Sequence, residues 1–456
     1  MRERHVRGRG RRTWWRRGGA RPLGAAARAG IVTAALCAVA APPGGYAAAA
    51  GAQDSYAFDP AGRSVTGATG TAGAPRLEPG RTYRDSLPGG GSLTYRLDLT
   101  AAESAYAPVT AVPPAGTTGN ATDGIRVSLE DTRGTRCSTA SALFGAGLSA
   151  RPVTALGQRQ TGRSLCQGAG TYYLRVERLS AGGSASGTAS SAPRWDLEIA
   201  PVTEPGLAAA GPTTAPPDQD SASPEPLAGD PRDRTGGAGF TSARPLGQGV
   251  WRTGITPGDT LFYKVPVDWG RQMHAVAELD ASTSGHGYVG GALNLSLYSP
   301  VRGYVDGASL GYTGTRRSAA LEPLPPVEYA NRYAVLTGEN AVRFAGDYYL
   351  VLHLSEKMAD TFGTGPFHVT LRVRVGGQAH DGPRYAGRPE PGDVFTVTEQ
   401  DRQAAVTGDT GGGGIAMRAL AVGGIGTGTA LLLVLGGWTV AARRAHTRVS
   451  AQKPTA

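Results

Sequence analysis

Residues 170–180 read "GTYYLRVERLS", and residues 346–355 read "GDYYLVLHLS". In the first stretch Tyr172, Leu174 and Val176 alternate with Tyr173, Arg175 and Glu177. In the second, Tyr348, Leu350, Leu352 and Leu354 alternate with Tyr349, Val351 and His353. A period of two predicts a strand with one face inward, and the leading glycine suits a turn into it. The correspondence extends upstream. "YRDSLPGGGSLTYRLDL" (83–99) matches "WRTGITPGDTLFYKVPV" (251–267), and "IRVSLED" (125–131) matches "LNLSLYS" (293–299), both at an offset of 168. The Tyr-Tyr strands are offset by 176, which places eight extra residues between Leu297 and Gly346. One more alternating strand follows each: Trp195/Leu197/Ile199, then Phe367/Val369/Leu371/Val373/Val375. Shared spacing over several strands predicts an internal duplication.

Each copy is rich in short alternating strands and Gly/Pro/Asp turns and poor in helical periodicity. With 69 Gly and 32 Pro in 456 residues, much of the chain must be turns and connections. The predicted fold class is all-β: two tandem antiparallel β-sandwich domains plus one C-terminal transmembrane helix. The run of "PGGGSLTYRLDL" or "PGDTLFYKVPV", then "VSLEDTRGT", then "AGTYYLRV" resembles the bacterial pre-peptidase C-terminal domain, over roughly residues 75–200 and 245–375. That resemblance implies jelly-roll-like sandwiches on a secreted protein and brings no shared active site. The Arg bias, with so much Ala and Gly, fits a GC-rich genome such as that of an actinobacterium.

The ends read as addresses. An Arg-rich segment precedes an apolar core, Ala29 to Ala41, and Ala50-Gly51-Ala52 suits a signal peptidase. Residues 1–52 are therefore expected to be a secretory signal peptide, its core too short to span a bilayer. Arg11-Arg12 before Trp14-Trp15 keeps twin-arginine export as the alternative to Sec. Residues 419–442 are 24 residues without a charge. As a helix they measure about 36 Å, enough to cross about 30 Å of hydrocarbon. Arg443, Arg444 and Arg448 follow, so residues 443–456 are expected inside the cell. Gly424 and Gly428 form a GxxxG pair that would let two such helices dimerise closely. Between the ends, residues 53–74 read as a flexible N-terminal segment, 75–202 as the first sandwich and 203–239 as a Pro/Ala/Asp-rich linker. Residues 240–376 read as the second sandwich and 377–418 as a juxtamembrane stalk. The formal charge is +10, but residues 1–51 carry +9 and the last fourteen +4. The remaining −3 in between leaves no basic excess to attract phosphates, so no nucleic-acid partner is expected.

Beyond Cys37 the only cysteines are Cys137 and Cys166, expected to form a disulfide outside the cell, with Val305 and Val342 near the equivalent places in the second copy. CxxC spacing is absent and no metal site or cofactor is expected. Asp280, Ser282 and Ser284 make a DxSxS spacing, read as a solvated loop because the helices of a metal-binding α/β domain are missing. "GASLG" centres a GxSxG match on Ser309, but no helix follows as a nucleophile elbow requires. His353 and His368 read as surface positions on strands. The recurring aromatics Tyr83/Trp251 and Tyr95/Tyr263 read as core or edge packing before a glycan-binding row. No catalytic residue is assigned. The expected function is non-catalytic binding or scaffolding at the outer face of the membrane, towards envelope glycan or another exported or membrane protein. A structural spacer in a membrane or secretion complex is the alternative, and an enzyme ranks last.

Overall fold

The computed structural model describes residues 56–145, 147–162, 165–180, 192–217, 224–225 and 227–408. The expected signal peptide, the 419–442 helix with Gly424 and Gly428, and the 443–456 tail lie outside the described residues. Among the described residues, no helix is long and apolar enough to cross a membrane.

The first sandwich comprises β1 (Arg63–Ser64), β2 (Tyr83–Leu87), β3 (Ser92–Leu99), β4 (Glu103–Val112), β5 (Gly124–Asp131), β6 (Arg136–Leu143), β7 (Val153–Arg159), β8 (Gly170–Leu179), β9 (Trp195–Ile199) and β10 (Val202–Pro205). The second comprises β11 (Arg232–Asp233), β12 (Arg244–Pro245), β13 (Gly249–Ile255), β14 (Thr260–Val267), β15 (Gln272–Leu279), β16 (Val289–Tyr298), β17 (Tyr304–Tyr312), β18 (Arg317–Ala320), β19 (Gly346–Leu354) and β20 (Phe367–Gly376). Among the described residues, three short α-helices, α1 (Thr337–Ala341), α2 (Lys357–Phe362) and α3 (Glu399–Thr407), and a 3-10 turn at Tyr329–Tyr333 complete the fold. One sheet of the first sandwich runs β1-β2-β9-β4-β10 with β7 also on β4, and the other runs β3-β8-β5-β6. The second sandwich repeats the plan as β11-β13-β20-β15-β18 and β12-β14-β19-β16-β17. The pairings are antiparallel except for three two-residue contacts, β1 with β2, β11 with β13 and β12 with β14. β9 and β10 are one strand broken at Pro201, because Ile199 opposite Val109 and Val202 opposite Tyr106 keep a single register.

The registers confirm the duplication strand by strand. Val127 faces Ala140 and Leu295 faces Ala308, so β5 and β6 map onto β16 and β17 at 168. Val109 faces Ala155 and Ala277 faces Ala319, so β7 maps onto β18 at 164. The net eight residues therefore resolve into two opposite changes. The first copy is four residues longer between β6 and β7, and the second is twelve longer between β18 and β19.

The alternation read in the sequence is the alternation of the cores. Tyr172, Leu174 and Val176 of β8 are buried with Leu97, Ile125, Trp195 and Ile199 in the first sandwich. Tyr348, Leu350, Leu352 and Leu354 of β19 are buried with Val265, Leu295 and Leu371 in the second. The expected boundaries differ from the structure. Residues from Tyr56 to 74, expected to be flexible, hold β1 and a bridge from Ala68 to Thr94. The expected linker still belongs to the first sandwich through β10, and from β11 it already belongs to the second. The expected stalk is a strap: its Tyr385 and Glu390 bridge to Leu207 and Thr203 of the linker, and it continues into α3. α3 is held by a Thr398/Asp401 capping box and by Arg402 on Asp268 at 2.9 Å.

These segments are ordered because the two sandwiches are packed together. The outward face of β4 and of the β9–β10 strand is buried against the second sandwich. Glu198 and Glu204, six positions apart on that strand, point the same way and are fully buried. Glu198 accepts from Tyr56 Oη at 2.8 Å, from the Asp59 backbone at 2.9 Å and from Arg302 at 2.6 Å. Glu204 accepts from Tyr106 Oη at 2.8 Å, Arg332 at 2.7 Å and Tyr385 Oη at 3.1 Å. Arg302 adopts φ of +54°, strained for a residue with a Cβ, and its guanidinium also lies 4.8 Å from the centroid of the Phe240 ring. Apolar contacts flank the ion pairs. Tyr56, Val112, Phe240, Phe262 and Val351 form one cluster, and Tyr106, Val202, Val301, Phe344 and Phe395 form another.

Breaking one such pair leaves an uncompensated buried charge. Arg332→Ala is expected to cost about 3–5 kcal/mol of stability. Arg332→Met combined with Glu204→Gln, which keeps an acceptor for one tyrosine and offers the hydroxyl of the other an N–H to accept from, is expected to recover most of that loss. Urea unfolding followed by tryptophan fluorescence checks it; equal losses for the single and double variants would refute the staple.

Candidate functional site

The positions singled out in the sequence do not converge. Ser309 sits within β17 opposite Asn294. Asp280 is paired with Arg252 at 3.5 Å and Arg316 at 3.2 Å, while Ser282 and Ser284 donate to the backbone of Ser284 and Phe362. Tyr83, Trp251, Tyr95 and Tyr263 are all buried, so they pack the cores and present no aromatic row. Among the described residues, no group of three or more His, Cys, Asp or Glu could hold a metal ion.

His353 is a correction. Far from being a surface position, it is buried where the sandwiches meet, with Nε2 2.7 Å from Ser149 Oγ of the first sandwich and Nδ1 3.0 Å from Thr260 Oγ1. Burial first, and the Arg151 charge second, pull its imidazole down to about 3. Tyr106 and Tyr385 go the other way. Burial and then the Glu204 charge push both phenols well above their ordinary value, so they stay donors to the carboxylate.

Cys137 and Cys166 are joined, with an S–S distance of 2.10 Å and a Cα–Cα distance of 5.6 Å. Their counterparts Val305 and Val342 lie in the apolar core of the second sandwich. The loop around Cys166 has a second anchor. The buried Arg159 guanidinium donates to the carbonyls of Cys166 at 2.7 Å, Gln167 at 2.9 Å, Gly168 at 3.2 Å and Thr100 at 2.9 Å, and also to that of Glu103. A guanidinium has five N–H donors in a fixed fork, which suits it to gather carbonyls from separate strands.

Several clefts of about 320 Å³ or more open among the described residues. One, of about 820 Å³, lies between β12, β14 and the strap. Within it Lys264 Nζ meets Asp347 at 2.6 Å, and Asp401 caps α3. Another is a groove between the sandwiches, formed of two adjoining cavities of about 570 and 320 Å³ that share Gln158, Thr337 and Asn340. One wall is β6 and β7, from Cys137 and Ser138 to Ala140 and Ser141. The other is the segment that makes the second copy longer, from Tyr333 to Phe344. Both walls are pinned. On the far side Asn340 Nδ2 donates to Arg332 O at 2.6 Å, Asn331 Nδ2 to Val342 O at 2.8 Å, and Arg343 to Gln158 Oε1 across the groove at 3.0 Å.

Apolar side chains stand exposed on these pinned walls: Val335 at 96%, Leu336 at 63% and Leu165 at 50%. Sequence reading missed them. The available signal was "YAVLTGEN", an apolar run of no fixed period inside the extra segment. Apolar residues that serve the core follow a period, and these do not.

No family model matches the chain, and no curated protein matches it. Among solved structures, similarity is found to the N-terminal tandem CBM22-1–CBM22-2 domain of Xyn10C from Paenibacillus barcinonensis, at 11% identity over 64% of this chain and 85% of that one, with a TM-score of 0.17. The tandem CBM51 modules of Sp3GH98, the family 98 glycoside hydrolase from Streptococcus pneumoniae, match at 7% identity over 65% and 83%, with a TM-score of 0.16. The CUB1-EGF-CUB2 domain of human MASP-1/3 matches at 6% over 64% and 99%, also at 0.16. Likeness at this level carries no function with it.

The disulfide and the buried His353 give two measurable outcomes. Removing the disulfide with Cys137→Ala and Cys166→Ala frees a loop of 29 residues, which is expected to cost roughly 3–4 kcal/mol in urea unfolding. His353 gives a pH dependence. Above its unfolded pKa of about 6.5 the ring is neutral in both states; below it the unfolded chain gains a proton that the folded protein refuses. Its contribution is thus full above about pH 6.5 and is lost on acidification towards pH 3, by at most about 1.4 kcal/mol per pH unit. His353→Gln is expected to flatten the stability–pH curve across that window, and an unchanged slope would refute the assignment.

Proposed function

We propose that the protein is an exported, membrane-tethered, non-catalytic binding or scaffolding protein that offers its fused sandwich pair at the outer face of the membrane. On this reading each sandwich is a module of the pre-peptidase C-terminal kind, residues 1–52 direct export, and residues 419–442 supply the tether. The partner is another exported or membrane protein. The observation that carries this is the groove with Val335, Leu336 and Leu165 in water on backbone that is cross-linked or hydrogen-bonded in place. Leaving a Val or Leu side chain in water forgoes about 1.5–3 kcal/mol each. A rigid display also spares a partner the entropy of ordering it.

Envelope glycan is the second reading. Tyr288 and Tyr304 are exposed at 69% and 51%. Their rings lie over Gly311 and Gly307 of β17, where a Cβ would meet Tyr288 Oη at 2.4 Å and Tyr304 Oη at 2.7 Å. Rings seated on a strand in this way could stack sugar faces.

Three lysines make the placement testable. A membrane-impermeant amine reagent on intact cells is expected to label the exposed Lys357 and to reach Lys453 only after lysis. A photoreactive residue at position 335 is expected to capture an exported or membrane protein, with capture lost in Leu336→Asp. Labelling of Lys453 before lysis, or capture of cell-wall glycan that depends on Tyr288, would overturn the placement or the choice of partner respectively.

A further inference from the structure

We propose that the groove receives an extended, uncharged segment of a partner polypeptide, which adds a strand to the open edge of β6. This rests on the binding reading above. β6 ends its sheet, pairing only with β5 among the described residues. From Cys137 to Leu143 it carries no charge, no proline and no lysine, the devices by which edge strands are usually protected. Its counterpart in the second copy is protected. β17 carries Asp306, which accepts from the Glu322 backbone at 2.7 Å, and α1 of the extra segment lies against it. The duplication thus offers an internal comparison: β17 carries a charge and lies against α1, whereas β6 lies beside β7, whose Gln158 N–H donates to Ser138 Oγ at 2.7 Å, and its own main chain is ladder-paired on one side alone among the described residues.

The chemistry of the groove selects the occupant. An unpaired strand edge offers donors and acceptors at the spacing of another backbone, which a polypeptide matches best. The extra segment walls the far side, so a single strand fits where the edge of a second sheet would collide. Among the described residues, Arg343 is the one charged residue lining the two cavities, and it is engaged by Asn340 and Gln158. A charged segment would therefore be desolvated without compensation, and an uncharged one would not. Val335 and Leu165 at the mouth ask for an apolar side chain. The groove also continues the established contact between the sandwiches, through Phe344 and Val301.

The test uses the full chain in detergent micelles and an immobilised library of uncharged heptapeptides, the probe being its tightest-binding member. That peptide is expected to slow amide exchange in Ser138–Ala142 and to bind about tenfold more weakly to Val335→Asp, a fully solvated position whose change cannot unfold the protein. N-methylating alternate residues of the peptide is expected to abolish binding. The proposal is overturned if no member binds, if N-methylation is harmless, if protection falls outside β6, or if a cell-wall oligosaccharide protects the same amides instead. Each of these leaves the lysine-labelling result standing, so failure of the groove is separable from failure of the surface placement.

Discussion

Two carboxylates on a single strand hold the molecule in one piece. Burying Glu198 and Glu204 costs several kcal/mol each before anything compensates. What compensates comes from four distant parts of the chain: the N-terminal segment at Tyr56, the strap at Tyr385, and Arg302 and Arg332 of the second sandwich. The carboxylates are satisfied only when all four are in place. This is why segments rich in Gly, Pro and Asp, which could bury no core of their own, are nonetheless ordered. It is also why the groove exists, since its walls come from different sandwiches.

Within each sandwich the sequence was readable because inward residues recur with period two. What lay between the sandwiches was not. The expected linker and stalk have no period, and their order comes from pairing with each other, Thr203 with Glu390 and Leu207 with Tyr385. Nothing in either segment alone records that. One signal did exist. Where β8 places Arg175 and Glu177 on its outer face, β19 places Val351 and His353. A strand apolar on both faces is buried on both faces. β14 shows the same shift, with Phe262 where β3 has Thr94. The second copy's outer face was marked in its sequence as an interface.

The site was legible in part. The cysteine pair could be read because two cysteines in one domain of a chain expected to be exported have little else to do. Its second anchor, Arg159, could not, because carbonyl acceptors leave no trace in a sequence. His353 was misplaced for the reason that hid the interface: period two tells which residues share a face, and not which face meets water. Val335 and Leu336 were visible as apolar residues, but only a structure shows that nothing in the described chain covers them.

The differences between the copies are the parts that join them. The four residues that lengthen the β6–β7 connection belong to a loop that brings Ser149 to His353 and sets Gly147 against Gly291. The twelve that lengthen the β18–β19 connection belong to the segment that brings Arg332 to Glu204 and Arg343 to Gln158. Each insertion reaches across to the other sandwich, while Phe144 in the shorter connection and Leu324, Val327 and Val342 in the longer one also pack the core of their own. A duplicated pair of sandwiches without them would be two beads on a string, free to turn about the linker. With them the pair is joined by hydrogen bonds and an ion pair, and the longer insertion lies against its own β17 through α1. The same added segment that ties the copies together therefore leaves one strand edge open beside it.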